Sequence, residues 1–464
     1  MAGATSHFAP LDKLVVVGDE TVRIAKGADY KYAEIGDIDV DTGGVVFRAH
    51  RGFELHTQRP QRVQTGDVLV STVRTYRKGI GIVTDSDGAE LIASKAILRL
   101  TGATDYAPGV SLPYVFSFLR TDFFVEQVWS LLHRGVYPRM DTGALGRVLI
   151  PVATDPRVCQ YVSVLSQAIA DKERAIRDRN EAILKAVNDE LVVGQSAASF
   201  TYAYPSLNEV RGRARLDAAV YSDEYKSKMW HVTNYARGCL TPTAAGFTVK
   251  PGPSLEIKIL RTRIDSETPK DGFYRLLIPA NISEYGTMSK VTWLGTAKQL
   301  PLLMQGDILF GEAGFGKGRT IVLIDELDRA TTNAHGLYAR RTDGDLAESI
   351  FFRCIFHWYR SMRLIDLMAV GGSGGHFSPE YFDSLLIPRF SEGPKDRIVA
   401  MYHSPAPPMA ELPTLSNFVT LQRSRNCALG IWELDSEMKS LQAELVGVQE
   451  LIIQGQPVSV PLPD

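Results

Sequence analysis

The chain has few cysteines, no long apolar run and no excess of charge of one sign. Its 464 residues correspond to roughly three structural units of common size. No apolar run approaches the roughly 18 residues of a membrane span, and the N-terminal MAGATSHFAPLDKL lacks the basic and apolar regions of a signal peptide. We therefore expect a soluble, cytoplasmic protein without a membrane partner. The four cysteines form no C-x-x-C pair, which argues against a zinc ribbon or a disulfide framework: Cys159, Cys239, Cys354 and Cys427.

The overall charge is nearly balanced. Lys and Arg total 51 against 53 Asp and Glu, for a net charge of -2, which excludes a uniformly basic nucleic-acid coat but leaves local basic patches open. Apolar residues make up 45% and charged residues 22% of the chain. This is the usage of an ordinary globular protein and excludes a largely disordered one.

No complete catalytic or metal-binding motif is present. There is no Gly-x-Ser-x-Gly elbow, no His-Glu-x-x-His helix and no Asn-Pro-Pro-Tyr of an amino-methyltransferase, and the nine histidines are scattered singly. Glu256-Ile-Lys258 resembles the end of a nuclease motif, but such a pattern is common on exposed strands. We therefore expect neither catalytic residues nor a metal site in this chain.

The segment Gly311–Gly318 (GEAGFGKG) comes close to a phosphate-binding loop and is followed by the acidic IVLIDE. Position 318 is glycine, however, so the hydroxyl that would bind magnesium is missing. The next apolar strand also begins almost at once, which leaves no helix whose N-terminus could hold phosphate. A nucleotide hydrolase is therefore an unfavoured alternative.

The chain contains a long duplication. Each copy has a Gly-Asp turn that opens a short apolar strand: Thr65–Ser71 (TGDVLVS) and Gln305–Gly311 (QGDILFG). Each strand is followed by a loop rich in Gly, Lys and Arg: Arg74–Gly79 and Gly314–Arg319. Each loop is followed by a second apolar strand: Ile80–Val83 and Thr320–Ile324. Matched order over a whole domain indicates tandem copies rather than chance.

In both copies the next elements are an aromatic-rich helix, a glycine-containing loop and a strand that ends in Ile-Pro. The predicted helices are Tyr114–Leu132 and Ser349–Met368. The loops read HRGVYPRMDTG and AVGGSGGHFSP, and the strands end at Ile150-Pro151 and Ile387-Pro388. Both copies thus carry the same succession of elements.

A long helix follows each copy, at 155–193 and at 424–454. Both helices show apolar residues at sevenfold spacing, which predicts that they pair as a coiled coil. The predicted seam consists of Val162, Ile169, Ile176, Ile183, Ile431, Leu434, Met438, Leu441, Leu445 and Val448. The heptad pattern of the first helix has two lines of apolar positions, and Lys172 and Arg179 interrupt the second of them. Either another subunit or acids of the partner helix, such as Glu437 and Glu444, would then face these two cations.

Basic residues cluster between Phe47 and Gly79, where Glu54 and Asp67 are the only acids. The cluster consists of Arg48, Arg51, Arg59, Arg62, Arg74, Arg77 and Lys78. A basic loop with an aromatic residue can contact phosphates, and its arginines can pair with guanine edges. The predicted DNA-binding residues of both copies are Arg74, Tyr76, Arg77, Lys78, Lys95, Tyr137, Arg139, Phe315, Lys317, Arg319, Arg340, Arg341, Ser373 and His376.

Two tandem domains with Gly-Asp strand starts and Ile-Pro ends, each trailed by a long helix, resemble the specificity subunit of type I restriction-modification systems. Arg215–Tyr221 (RLDAAVY) is also similar to the domain-entry segment of that family. The resemblance covers nearly the whole chain. It implies an α/β (α+β) fold with two target-recognition domains of mixed sheet plus helices, whose two long helices pair as an antiparallel coiled coil.

The resemblance further implies five segments. They are a first target-recognition domain at 1–151, a spacer and docking helix at 152–195, a second recognition domain at 196–390, a Pro-rich loop with a second docking helix at 391–455, and a flexible tail at 456–464. The Pro-rich insertion has no counterpart in the first copy and departs from the tandem pattern.

The implied function is non-catalytic. Each domain would read one half of a bipartite DNA target for adenine-N6 methyltransferase subunits, and for a restriction subunit where one is present. This chain would carry no cofactor, while S-adenosylmethionine would bind the methyltransferase and ATP and magnesium the restriction subunit. The alternatives are a specificity subunit of a type II methyltransferase-nuclease system, a coiled-coil scaffold and the P-loop-like NTPase.

Overall fold

The computed structural model describes residues 5–464 except 58, 85–89, 133–137, 315–316, 372–374, 406 and 410. The described residues form two compact units. The first unit lies within Met1–Ala175, Ala406–Ala428 and Leu434–Asp464, and the second within Ile176–Pro405 and Leu429–Glu433. These units cut across both expected docking-helix segments. Within the described ranges, no helix is long and apolar enough to cross a membrane.

The described residues of the first unit form ten strands, and most of its helices follow the sheets. The strands are β1 (Ser6–Pro10), β2 (Val15–Gly18), β3 (Asp29–Ala33), β4 (Arg48–Arg51), β5 (Gln61–Val63), β6 (Val68–Ser71), β7 (Ile80–Ile82), β8 (Leu91–Ala93), β9 (Ile97–Ala103) and β10 (Leu149–Ala153). The helices are α1 (Leu11–Leu14), α2 (Leu112–Leu119), α3 (Asp122–Leu131), α4 (Thr142–Gly146) and the first part of α5 (Pro156–Val193).

Two four-stranded sheets form the centre of the first unit. One is antiparallel throughout, in the order β2-β9-β6-β7, and the other has the order β4-β3-β8-β5 with β3 and β8 parallel. Successive side chains of β6 point to opposite faces of its sheet. Val68 and Val70 pack into the helical core, whereas Leu69 packs with residues of the other sheet such as Leu91. All four residues of β6 are buried, which explains its uninterrupted apolar sequence.

The second unit repeats this plan. Its strands are β11 (Cys239–Leu240), β12 (Phe247–Pro251), β13 (Ile264–Ser266), β14 (Tyr274–Leu276), β15 (Thr292–Gly295), β16 (Ile308–Gly311), β17 (Thr320–Val322), β18 (Ala330–Thr331), β19 (Gly336–Arg341) and β20 (Ile387–Pro388). Its helices are α6 (Leu207–Arg213), α7 (Asp223–Thr233), α8 (Ile257–Leu260), α9 (Leu346–Ser361), α10 (Leu364–Met368) and α11 (Glu392–Tyr402), together with the end of α5.

The order of strands confirms the duplication. The sheet β12-β19-β16-β17 matches β2-β9-β6-β7, and every neighbouring pair in both is antiparallel. The Ile-Pro strands β10 and β20 each pair with a strand near the start of their copy, β1 and β11. The second sheets share one parallel pair, β3 with β8 and β14 with β18, but differ at their edges. The fold is therefore a mixed α+β arrangement in both copies.

The last two helices are α12 (Phe418–Asn426) and α13 (Ile431–Ile453). The prediction of a single helix at 424–454 is wrong, because the helical conformation is interrupted between Asn426 and Ile431. Gly430 explains the break: a Cβ at this position would lie 2.7 Å from the backbone of Tyr402 and His403. Glycine therefore allows α11 and α13 to meet closely within the second unit.

Within the first unit, α5 and α13 pair in antiparallel directions, as predicted. Tyr161 donates a hydrogen bond to Glu444, while Lys172, further along α5, contacts Glu437, which lies earlier in α13. Among the predicted seam residues, eight are buried and Leu441 and Leu445 are half-buried. The heptad pattern therefore identified the faces that these helices bury.

The polar interruptions of the seam also find partners. The Nζ atom of Lys172 is completely buried, 2.7 Å from Glu437 Oε2 and 2.8 Å from Asn426 Oδ1. Arg179, by contrast, donates to the Leu429 carbonyl at 3.2 Å. The prediction of an acidic partner for the interrupted seam thus holds for Lys172 with Glu437.

Residues 456–464 do not form the loose tail that was expected. Leu462 is buried in the core of the first unit, and the Leu415 N–H donates to the Pro463 carbonyl at 2.8 Å. Asp464 also forms an ion pair with Arg157 at 2.7 Å. Apolar residues spaced between the prolines of this segment explain why it packs.

Candidate functional site

The basic loop of the first unit joins β6 to β7 through a tight turn. Thr75–Arg77 form a single 3₁₀ turn, and the Thr75 hydroxyl donates to the Ser71 carbonyl at 2.7 Å. Arg74 and Lys78, on either side of the turn, adopt left-handed backbone conformations with φ of 51° and 58°. Such conformations are costly for residues with a Cβ, so the turn is held by its surroundings.

The loop of the second unit has the same backbone at the corresponding places. Gly314 and Gly318, four residues apart between β16 and β17, have φ of 71° and 73°. The second copy thus uses glycine where the first uses Arg74 and Lys78, as the conformation favours. The resemblance of GEAGFGKG to a phosphate-binding loop therefore follows from the backbone turn.

A second segment closes each loop in the same manner. In the first unit, Val73 forms a β-bridge with Arg139, and the Met140 N–H donates to the Thr72 carbonyl at 2.8 Å. In the second unit, Ala313 forms a β-bridge with His376, and the Phe377 N–H donates to the Glu312 backbone carbonyl at 2.8 Å. The glycine-containing loops that follow α3 and α10 thus return beside the basic loops, and bring Arg139 and His376 to them.

The first loop carries an aromatic pair that the sequence did not reveal. Tyr76 stacks on Trp129 of α3, with ring centroids 4.3 Å apart and planes inclined by 24°. Trp129 remains 58% exposed, so one face of the pair is available to a ligand. An isolated tryptophan on the polar side of a helix is the one sequence feature that could have indicated it.

The predicted cations of the first loop differ in availability. Arg77, Lys95 and Arg139 are exposed. Lys95 lies next to Ala96, whose carbonyl accepts from the Thr72 hydroxyl at 2.8 Å, so it flanks the base of the loop. Lys78 instead forms an ion pair with Asp122 at 2.6 Å. The structure therefore places the described cations of this copy on or beside the first loop but leaves Lys78 partly neutralised.

The predicted cations of the second loop are mostly engaged. Lys317 Nζ lies 3.1 Å from Asp366 Oδ1 and only 9% of the side chain is exposed, while Arg319 donates to the Ile282 carbonyl at 3.1 Å. His376 is exposed beside the loop. The second copy thus presents a less basic surface than its sequence indicates.

Arg340 and Arg341 both pair with carboxylates. Arg340 makes two contacts of 2.7 Å with the buried carboxylate of Asp307, and Arg341 pairs with Asp343 at 2.6 Å. The bonds with Asp307 raise the pKa of Arg340. Both guanidinium groups are therefore held by carboxylates, and their contact with DNA stays a prediction.

Three arginines of the basic run between Phe47 and Gly79 likewise pair with acids that lie outside this run. Arg48 pairs with Asp37 at 2.8 Å and Arg51 with Asp29 at 3.0 Å. Arg62 pairs with both Glu20, at 3.2 Å, and Glu90, at 2.9 Å. Folding therefore supplies acids that a local charge count leaves out, and these three arginines are paired.

Three predicted residues, Tyr137, Phe315 and Ser373, lie outside the described residues. The alternative motifs gain nothing from the structure. Thr320 begins a strand directly after the second loop, as expected, and Glu256 precedes the four-residue helix α8 rather than lying on a strand. In the part of the chain that the structure describes, no group of three or more His, Cys, Asp or Glu is placed to hold a metal ion.

No protein-family model and no curated protein sequence matches the chain. Solved structures of type I restriction-modification systems are similar to it over nearly its full length. The S subunit from M. genitalium has 12% identity and a TM-score of 0.44, with 99% of this chain and 98% of that chain covered. The HsdS subunit from Thermoanaerobacter tengcongensis has 15% identity and a TM-score of 0.33, with 98% and 97% covered. A chain from a structure of complex assembly and conformational transition of a type I R-M system has 14% identity and a TM-score of 0.33, with 97% of each chain covered.

Proposed function

We propose that this chain is the DNA sequence-specificity subunit of a restriction-modification complex, and that each copy reads one half of a bipartite target. One observation carries the proposal: the strand–loop–strand turn, with its paired left-handed residues and its closing segment, is built twice, once on the corresponding sheet of each unit. A rigid sheet that presents a variable loop is suited to recognition, because the loop can differ while the frame stays fixed.

The two loops differ in their side chains, and so should their half-sites. The first loop offers Arg77 and Arg139 beside the Tyr76–Trp129 stack, which suits phosphate contact and hydrogen bonding to guanine edges. The second offers His376 and fewer open cations. We expect the first copy to contribute more of the electrostatic affinity.

Two reading domains increase discrimination, since each mismatched base pair costs about 1–3 kcal/mol and separate positions add. We assign the recognition domains to 1–151 and 196–390, and the helical segments 152–195 and 391–455 to spacing and to docking of adenine-N6 methyltransferase subunits. The chain itself is non-catalytic in this proposal. S-adenosylmethionine then belongs to the methyltransferase, and ATP and magnesium to a restriction or translocase subunit where the complex has one.

Mapping of N6-methyladenine in cells that carry this chain with its methyltransferase tests the proposal. The expected result is a two-part motif that disappears when this chain is omitted and the methyltransferase is kept. Arg77→Ala should relax one half of the motif and His376→Ala the other. Methylation that does not depend on this chain, or a motif without two separable halves, would overturn the proposal. A type II methyltransferase-nuclease complex would produce the same dependence.

A further inference from the structure

The first unit contains a basic cleft outside the loop described above. The cleft has a volume of about 590 Å³ and is lined by Arg23, Lys26, His56 and Arg59, with the ring of Phe53 at its side. Among the described residues that line it, none is acidic. Phe53 is 66% exposed, although a side chain of this size and apolarity is usually covered.

Two backbone segments build this cleft, the chain before β3 and the turn after β4. The Gly52 N–H donates to the Ala28 carbonyl at 2.8 Å, and the Phe53 N–H donates to the Lys26 carbonyl at 3.1 Å. A Cβ on Gly52 would lie 2.0 Å from the Ala25 carbonyl oxygen, so glycine is required for this approach. The basic side chains are therefore presented by a fixed framework.

The cations of the cleft differ from the neighbouring arginines. Arg48, Arg51 and Arg62 are held by carboxylates at 2.8–3.2 Å. Arg23 and Arg59 make no ion pair with any residue that the structure describes, and both are exposed. Glu54, which precedes Arg59 by five residues, accepts from the Arg51 N–H at 2.9 Å and lines the adjacent pocket instead.

Strand register connects the cleft with the basic loop. Gln61 of β5 pairs with Ala93 of β8 in an antiparallel ladder. The chain before Gln61 and the chain after Ala93 therefore leave the ladder at the same end, where Arg59 and Lys95 lie two residues beyond the last pair. Lys95 adjoins Ala96, which accepts the hydrogen bond from the loop residue Thr72. Two exposed cations thus follow the same end of this ladder, Arg59 of the cleft and Lys95 at the base of the loop.

We infer that this cleft binds the phosphodiester backbone of DNA beside the bases that the first loop reads. This inference rests on the proposed function and adds to it a sequence-independent site. Cations without carboxylate partners suit phosphate oxygens, and the exposed ring of Phe53 offers an apolar surface for a sugar or base. The cleft positions the duplex, while the loop carries the sequence information.

Salt titration of duplex binding tests the inference. The probe is a 30-base-pair mixed-sequence duplex, and the full chain is titrated by fluorescence anisotropy from 50 to 200 mM KCl. The triple variant Arg23→Ala, Lys26→Ala, Arg59→Ala should lower the slope of log affinity against log salt by about 2–3, since each lost phosphate contact removes about 0.9. The matched control is Arg48→Ala, Arg51→Ala, Arg62→Ala, which removes the same charge from paired arginines and should change the slope by less than about 1.

Equal slopes for the cleft variant and the wild type, or an equal decrease in the matched control, would overturn the inference that the cleft binds DNA. A decreased slope for Arg77→Ala in the same experiment would then leave the proposed function standing. Absence of duplex binding by the wild-type chain would overturn both. Thermal melting of each variant checks that the exposed substitutions leave the fold intact.

Discussion

Arg340 and Asp307 form a two-point ion pair, with Nε 2.7 Å from Oδ1 and Nη2 2.7 Å from Oδ2. In the first unit, the corresponding Asp67 pairs with Arg99 at 2.7 Å. Both aspartates are buried, and both also accept a backbone N–H three residues earlier in the chain, from Met304 in one unit and Gln64 in the other.

The two arginines occupy different positions along their strands. Arg99 stands opposite Leu69, whereas Arg340 follows Ala339, which stands opposite Ile308. The copies have therefore retained a charge partner for the Gly-Asp turn while its position changed. This indicates that the carboxylate fixes the turn and requires an arginine beside it.

We predict that Arg340→Met lowers the free energy of unfolding by about 3 kcal/mol, because it leaves the Asp307 carboxylate buried without its partner. Urea denaturation measures the change. Arg341→Met is the matched control and should have a much smaller effect, because its partner Asp343 lies at the surface. Equal stability of Arg340→Met and the wild type would contradict a structural role for this pair.

A second prediction compares the two ends of the buried pair between α5 and α13. Lys172→Met should change the free energy of unfolding by less than about 1 kcal/mol, because Glu437 keeps Arg425 as a partner at 2.7 Å. Glu437→Gln should cost about 3 kcal/mol, because it leaves the buried ammonium of Lys172 without its carboxylate. Chemical denaturation that ranks the variants in the opposite order would refute this account.

The same lysine predicts a pH dependence. Burial lowers the pKa of Lys172, and the bond with Glu437 offsets only part of that effect. Between the lowered pKa and the ordinary lysine value of about 10.4, the unfolded state binds more protons than the folded state. Stability from this residue therefore rises with pH in that interval. The difference in unfolding free energy between the wild type and Lys172→Met should shift in favour of the wild type there, and a constant difference would speak against the lowered pKa.

In the first loop, the effects of single substitutions on DNA binding should follow exposure and pairing. Arg77→Ala should lower the log–log salt slope by about 0.9, the value for one phosphate contact, whereas Lys78→Ala should lower it less because Asp122 already neutralises the ammonium. Anisotropy titrations with a duplex provide the measurement. An unchanged slope for Arg77→Ala would remove this loop from the interface.

The second loop should have no ATPase activity, although its sequence suggests a phosphate-binding motif. Lys317 contacts Asp366, and β17 begins at Thr320 in place of a helix. Phosphate release by the purified chain should equal the buffer background, and Lys317→Ala should leave it unchanged. Measurable ATP turnover that this substitution abolishes would favour the nucleotide hydrolase instead.

Sequence reasoning succeeded where it relied on order and periodicity. The Gly-Asp turns predicted β6 and β16, and the sevenfold spacing predicted the buried face of α5 and α13. Both signals are local or repeat at fixed intervals, so they survive in the linear sequence. The sequence did not predict the interruption of the helix at Gly430, because the interruption depends on α11, which is distant in the chain.

Charge was the least predictable property of the candidate site. The partners of Arg48, Arg51 and Arg62 come from other strands and loops, and strand register decides which acid meets which arginine. The Tyr76–Trp129 stack likewise joins a loop to a helix more than fifty positions away. A count of charges along the sequence cannot contain such information.

The end of α13 lies against the first strand of the chain. The Thr5 hydroxyl donates to the Gly455 carbonyl at 2.6 Å, and the Ser6 hydroxyl donates to the Ile452 carbonyl at 2.8 Å. These two bonds hold the N-terminal edge of the first unit to the end of α13, so the amide protons of β1 and of the last turn of α13 should exchange with solvent together when either element opens.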